Sequence, residues 1–192
     1  MPRMSEAEKQ KSHNKILEAA ARMLREEGTD ATSVSDVMQA AGLTHGGFYR
    51  HFRSKDELVS AAFRKAVDDV LTEMEQAPDD AQKTRARRDY IDTYLSKCHV
   101  DNRGDGCPLA ALAIDLSRGE EAARRDGLAA VDRVSALLKT GDAAAQGTAL
   151  LALMVGTVTL ARLAENGEAT EAILEAGRTG ADLLEKQWPA AD

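Results

Sequence analysis

From Ile16 to Trp188 the apolar residues recur three and four places apart, and no stretch alternates apolar with polar residues. Such spacing lays an apolar stripe along helices and offers no half-buried strand, so the chain is confined to all-α architectures. Composition agrees: aromatic residues are 4%, prolines number four, and Ala, Leu and Glu abound, a mixture that favours helix over strand. The 192 residues allow one large domain or two small ones.

Stop signals divide the pattern. Residues 1–11 are polar and read as a flexible arm. Ile16, Leu17, Ala20, Met23 and Leu24 predict a first helix ending near Glu27, stopped by Gly28. Val34, Val37 and Met38 predict a short second helix over 33–41, with Thr32 as its cap. After Gly42, Thr44 caps a third helix over 45–51, with Phe48 and Phe52 on its buried face. Ser54-Lys55-Asp56-Glu57 has the form of a capping box and opens a long helix broken at Ala77-Pro78. Further helices carry Tyr90 to Cys98, start at Pro108, and run from Leu128 to a stop at Gly141. A polar loop is expected from His99 to Gly106. The spacing then predicts a strongly apolar helix over Ala143–Glu165 and a last one from Ile173 to Trp188.

Two short helices joined by Ala41-Gly42-Leu43 form a helix-turn-helix pattern. In that unit the second helix enters the DNA major groove. His45-Gly46-Gly47 opens that helix with poor helix formers, each glycine costing about 1 kcal/mol relative to Ala. Bare glycines let a backbone come close to DNA, and Thr44, His45 and Tyr49 supply polar groups beside them. Lys55 opens the next helix, where free N–H groups already favour a phosphate.

The net charge of −7 argues against a general polyanion binder. It is unevenly spread: residues 1–56 hold nine Lys/Arg against eight Asp/Glu, and residues 57–192 sixteen against twenty-four. The longest apolar run, Thr148–Ala161, has fourteen residues, short of the roughly 20 a membrane span needs. With a polar start and two cysteines, a cytoplasmic chain with no membrane partner is expected.

The run Thr32-Ser33-Val34-x2-Val37-x2-Ala40-Ala41-Gly42-Leu43-Thr44-x-Gly46-x-Phe48-Tyr49-Arg50-His51-Phe52-x-Ser54-Lys55-x2-Leu58 closely resembles the DNA-binding signature of the tetracycline-repressor (TetR) family. Ile16-Leu17-x-Ala19-Ala20-x2-Leu24-x3-Gly28 is similar to the family's first helix. Gly47 departs from the pattern, where a small hydroxyl residue or Ala is common. The resemblance implies a three-helix DNA-binding domain over 12–58 and a helical ligand-binding and dimerisation domain over 59–192. It implies a transcriptional regulator, most often a repressor, that holds a palindromic double-stranded DNA operator as a homodimer and is released by a small-molecule inducer. Carried over by position, Thr32, Ser33, Thr44, Tyr49, His51 and Lys55 are expected at the DNA backbone and His45 and Gly46 at the bases. The apolar 143–165 helix needs covering on more sides than its own chain provides, which with the last helix predicts a four-helix dimer interface. Arg85, Arg87, Arg88, Arg124 and Arg125 read as solvated charges.

Cys98-His99-x7-Cys107-Pro108 is the second half's most unusual feature. Neighbouring helical residues diverge by about 100° and no fourth ligand stands near, so no metal and no cofactor is expected. Cys107 is either a small buried residue or a thiol sensor favoured by a helix N-terminus. Gly-Cys before this helix also resembles a pattern in family members that sense oxidants or electrophiles. Two other functions compete: a thiol redox enzyme using Cys98 and Cys107, and a helical interaction module. The enzyme lacks a C-x-x-C motif and a βαβ pattern; no catalytic residue is assigned.

Overall fold

The computed structural model describes residues 5–140 and 143–189. Met1 to Met4 of the expected arm, and Gly141 as a helix stop, lie outside them. The described residues form α-helices and one 3-10 helix, with no strand among them.

Helix α1, Glu6–Ala31, starts earlier than its apolar stripe. Ser5 caps it through a reciprocal box: its Oγ accepts the Glu8 N–H at 3.2 Å, and Glu8 accepts the Ser5 N–H at 2.8 Å. Two satisfied backbone donors carry the helix through residues 6–11, which polarity alone assigns to an arm. Gly28 (φ 83°, ψ 173°) breaks α1 without ending it, and one more turn follows to Ala31. Helix α2, Val34–Ala40, is capped by Ser33 rather than Thr32. Gly42 (φ 70°) turns the chain, and a 3-10 helix, His45–Arg50, replaces the expected α-helix. Two adjacent glycines leave too little helix propensity for α-helical geometry in so short a segment.

Helix α3, Lys55–Glu75, begins at Ser54, whose Oγ accepts the Glu57 N–H at 3.1 Å. The Glu57 carboxylate accepts the Arg53 N–H at 2.6 Å, one residue before the expected partner. Helix α4, Asp80–Tyr94, leads to a short α5, Lys97–Asp101, inside the segment expected as loop. Ser96 accepts the His99 N–H and nucleates that turn. Then come α6 (Pro108–Arg118), α7 (Glu121–Leu138), α8 (Ala144–Ala161) and α9 (Gly167–Gln187).

One apolar core runs through the molecule, from Ile16, Leu24, Phe48 and Phe63 through Leu112 and Leu138 to Leu150, Met154 and Leu174. Helix α1 packs on α3 and α6, α3 on α7, and α8 lies between α7 and α9. By length and composition α8 could cross a membrane. Here it is a core helix, held by polar ties as well: buried Gln146 accepts the Thr140 N–H at 2.8 Å and donates to the Leu184 carbonyl at 2.9 Å. The α7–α8 approach is close enough that a Cβ on Gly147 would stand 2.0 Å from the Ser135 carbonyl oxygen. Arg87 is not a solvated charge: it is buried, paired with Glu185, and donates to the Leu138 carbonyl at 3.2 Å. A buried guanidinium keeps its charge only with partners of that kind.

Candidate nucleic-acid interface

The 3-10 helix cannot hold itself in place; Phe48 holds it. Phe48 is 1% exposed, stacks on Phe52 at 5.7 Å between ring centroids, and meets Tyr49 edge-on at 5.3 Å. With Phe48 turned in, Thr44, His45 and Gly46 face out, and Tyr49 is left 73% exposed. A Cβ on Gly46 would meet nothing within 4 Å, so the backbone there is bare. Thr44 occupies the cap position without a side-chain capping bond. Gly47 faces inward, where a Cβ would make ordinary contact with Met38 at 3.6 Å.

Ser33 and Lys55 come together across one small hollow with Val34, Val37 and Leu58. Ser33 is exposed; its Oγ accepts the Asp36 N–H at 3.1 Å and donates to the Asp36 carboxylate. Lys55 is the first residue of α3, so its ammonium adds to the positive end of a 21-residue helix. Thr32 lines the same hollow but from the buried side. It is 2% exposed and its hydroxyl donates to the Gly28 carbonyl at 2.8 Å, closing the last turn of α1. Its spacing matched a surface motif, but a kink four residues upstream turns it inward.

His51 is half-buried, with Nδ1 lacking a hydrogen-bond partner among the described residues. His13 of α1 stacks on Phe52 at 4.8 Å and lies 5.8 Å from His51. Burial, then His13, Lys9 and Arg50, lower the His51 pKa below its ordinary 6.5. His13 was legible in the sequence, since it lies three and four residues before Ile16 and Leu17 on one helix face.

The cysteines stand in opposite environments: Cys98 is exposed on α5 and Cys107 is buried at the cap of α6. His99 ties the two segments. Its Nδ1–H donates to the Tyr94 carbonyl at 2.7 Å and its Nε2 accepts the Cys107 N–H at 2.9 Å. Nε2 can accept only in the neutral ring, so the pair of bonds together needs that form. Burial is the main cause that lowers the His99 pKa below 6.5, partly offset by the Tyr94 carbonyl. Around the thiol, the Tyr90 and Tyr94 hydroxyls are buried without an oxygen or nitrogen partner among the described residues. Burial first, then the neighbouring Cys107, push both phenols well above their ordinary value. Among the described residues no three His, Cys, Asp or Glu side chains cluster as a metal site would.

The two perturbed histidines set a pH dependence. Each is lowered by folding, so its contribution to stability is full above the unfolded value of 6.5 and is lost as the pH falls through the folded value. Thermal melts should show stability declining between about pH 7 and pH 5.5. His99→Gln, whose amide oxygen can accept the Cys107 N–H at any pH, should flatten that decline. An unchanged slope in the variant would show that His99 does not carry it.

Residues 16–62 match the model described as "Bacterial regulatory proteins, tetR family". The HTH-type transcriptional regulator AcrR of Shigella flexneri is 37% identical over 70 residues, covering 36% of this chain and 33% of its own. The HTH-type transcriptional repressor KstR2 of Mycolicibacterium smegmatis is 34% identical over 68 residues, covering 35% of this chain and 33% of its own. The chain therefore spans about a third of the length of these curated relatives. Likeness of fold reaches further: a TetR transcriptional regulator from Chloroflexus aurantiacus superposes with a TM-score of 0.71 at 25% identity, over 93% of this chain and 96% of that one. Residues 16–62 are thus similar to the DNA-binding domain of the tetR family of bacterial regulatory proteins, and the chain as a whole shares the fold of a solved TetR regulator.

Proposed function

We propose that the protein is a transcriptional repressor of the bacterial cytoplasm that grips a palindromic double-stranded operator as a homodimer. The observation that carries this reading is the 3-10 segment itself. A bare Gly46, flanked by outward His45 and Tyr49 and anchored by a buried Phe48, is a poor surface helix and a good approach to a groove. In this reading Ser33, Thr44, Tyr49, His51 and Lys55 touch the phosphate backbone, His45 and Gly46 face the bases, and Thr32 serves only to shape the turn before α2. One segment of six residues covers few base pairs, and two-fold symmetry doubles the site. The relative from Mycolicibacterium smegmatis carries the word repressor in its name, which supports the direction of control.

The dimer face is proposed on α8 and α9. Leu160, Leu163 and Leu183 stand 57%, 75% and 48% exposed there, and Gly156 is open, with nothing within 4 Å of a Cβ. Exposed leucines on two neighbouring helices and, at Leu163, in the turn between them are what a bundle of two chains would cover. Release is proposed to come from the second domain, through a small-molecule inducer or through modification at the buried Cys107. Two buried tyrosine hydroxyls beside Cys107, with no oxygen or nitrogen partner among the described residues, support that region as the receiving end.

Selection from random duplex DNA tests the reading. The protein should enrich an inverted repeat, with affinity falling steeply as salt rises. Lys55→Ala should weaken binding to all duplexes alike and flatten the log–log salt slope by about one unit, whereas His45→Ala should change which sequence is enriched. Failure to enrich any sequence would overturn the proposal. Identical profiles from both variants would refute the division between backbone and base contacts.

Gly156→Arg separates association from folding. The added charge lands on an open surface, whereas Arg at Leu153 would strike the α8–α9 contact, where that side chain lies 3.1 Å from a Cβ on Gly180. Sedimentation equilibrium should find Gly156→Arg monomeric with unchanged helical content. A dimer of wild-type strength would move the interface elsewhere.

A further inference from the structure

The break in α1 is held by the other half of the chain. At Gly28 the backbone leaves the helix (φ 83°, ψ 173°), and the N–H of the next residue, Thr29, bonds outside α1. In an ordinary helix start the preceding residue caps such a donor, but Gly28 has no side chain. Asp115 of α6 does so instead, from 86 residues away: its Oδ2 accepts the Thr29 N–H at 3.0 Å and the Thr29 hydroxyl at 2.8 Å. The same oxygen lies 3.7 Å from where a Gly28 Cβ would be, an ordinary contact, so the positive φ rather than the space calls for glycine there. Thr32 closes the turn onto the Gly28 carbonyl, and Ser33, the next residue, caps α2. Only Asp30, Ala31 and Thr32 thus separate the Thr29 contact from Ser33, the cap of α2, and hydrogen bonds hold the chain at Thr29, Thr32 and Ser33.

We propose that Asp115 is a positioning residue for operator binding: a carboxylate of the second domain that sets the direction in which the chain enters α2 and so aims the DNA-facing segment. The proposal rests on the DNA-binding reading above and adds to it a determinant that lies outside the amino-terminal domain. Without the Asp115 cap the Thr29 N–H and hydroxyl lose the acceptor they share, and α2 with the 3-10 helix samples more than one orientation. Affinity then falls in proportion to the fraction that remains correctly aimed.

The test uses the full chain and the duplex that wild-type protein enriches, at a temperature where circular dichroism shows each variant folded. Asp115→Ala should bind about tenfold more weakly, the factor a lost cap of about 1.4 kcal/mol gives. Thr29→Val should also bind more weakly, and the double variant no more weakly than Asp115→Ala, because both remove one interaction. Asp115→Asn, which keeps an acceptor oxygen, should recover most of the affinity. Asp126→Ala is the control: it breaks the Arg64–Asp126 pair of 2.6 Å between α3 and α7, a carboxylate contact within the second domain, and should leave affinity unchanged. Full affinity in Asp115→Ala, additive losses with Thr29→Val, or an equal loss in Asp126→Ala would each overturn the proposal. If Asp115→Ala does not fold, full affinity in Thr29→Val overturns it alone. A wild-type protein that enriches no duplex defeats the DNA-binding reading instead, which keeps the two failures apart.

Discussion

Burial of Phe48 is the interaction on which the proposed interface depends. Six residues of 3-10 helix containing two glycines have no stability of their own. Removing a phenylalanine side chain from water contributes about 1.5–3 kcal/mol, and that ring is the fixed point about which the segment is oriented. Met38, Phe52 and, through Phe52, His13 complete the socket. The arrangement divides the labour within one short element: an aromatic anchor supplies position, and glycine supplies access.

That local anchor is set within a longer-range frame. Helix α1 is shared between the halves of the chain, packing on α3 on one side and α6 on the other. Its kink at Gly28 converts a straight rod into a rod with an aimed end, and the partner that holds the kink belongs to α6. The same α6 begins at Cys107, whose N–H is bound by His99. A change at the start of α6 and the geometry at Thr29 are therefore connected through a single 11-residue helix.

Elements whose cause is local were legible in the sequence. Gly42, Ser54 and Pro108 act on their immediate neighbours, and each turn or helix start falls where those residues predict it. The exposed face of the 3-10 segment was legible for the same reason, because Phe48 and Phe52 name the buried side. What escaped has causes distant in sequence. Thr32 is buried because of a kink stabilised by Asp115, and Arg87 is buried because Glu185 and the Leu138 carbonyl meet it. Neither partner can be inferred from spacing. The helical state of residues 6–11 lay in between: Ser5 and Glu8 spell a capping box, but no apolar residue follows closely enough to draw attention to it.

Amide hydrogen exchange, with and without the enriched duplex, tests most directly whether the amino-terminal surface is the one that meets DNA. The account predicts protection on DNA binding at residues 44–51 and at the starts of α2 and α3, with α8 and α9 unaffected at fixed dimer concentration. Protection concentrated on α8 and α9, or none at residues 44–51, would contradict it.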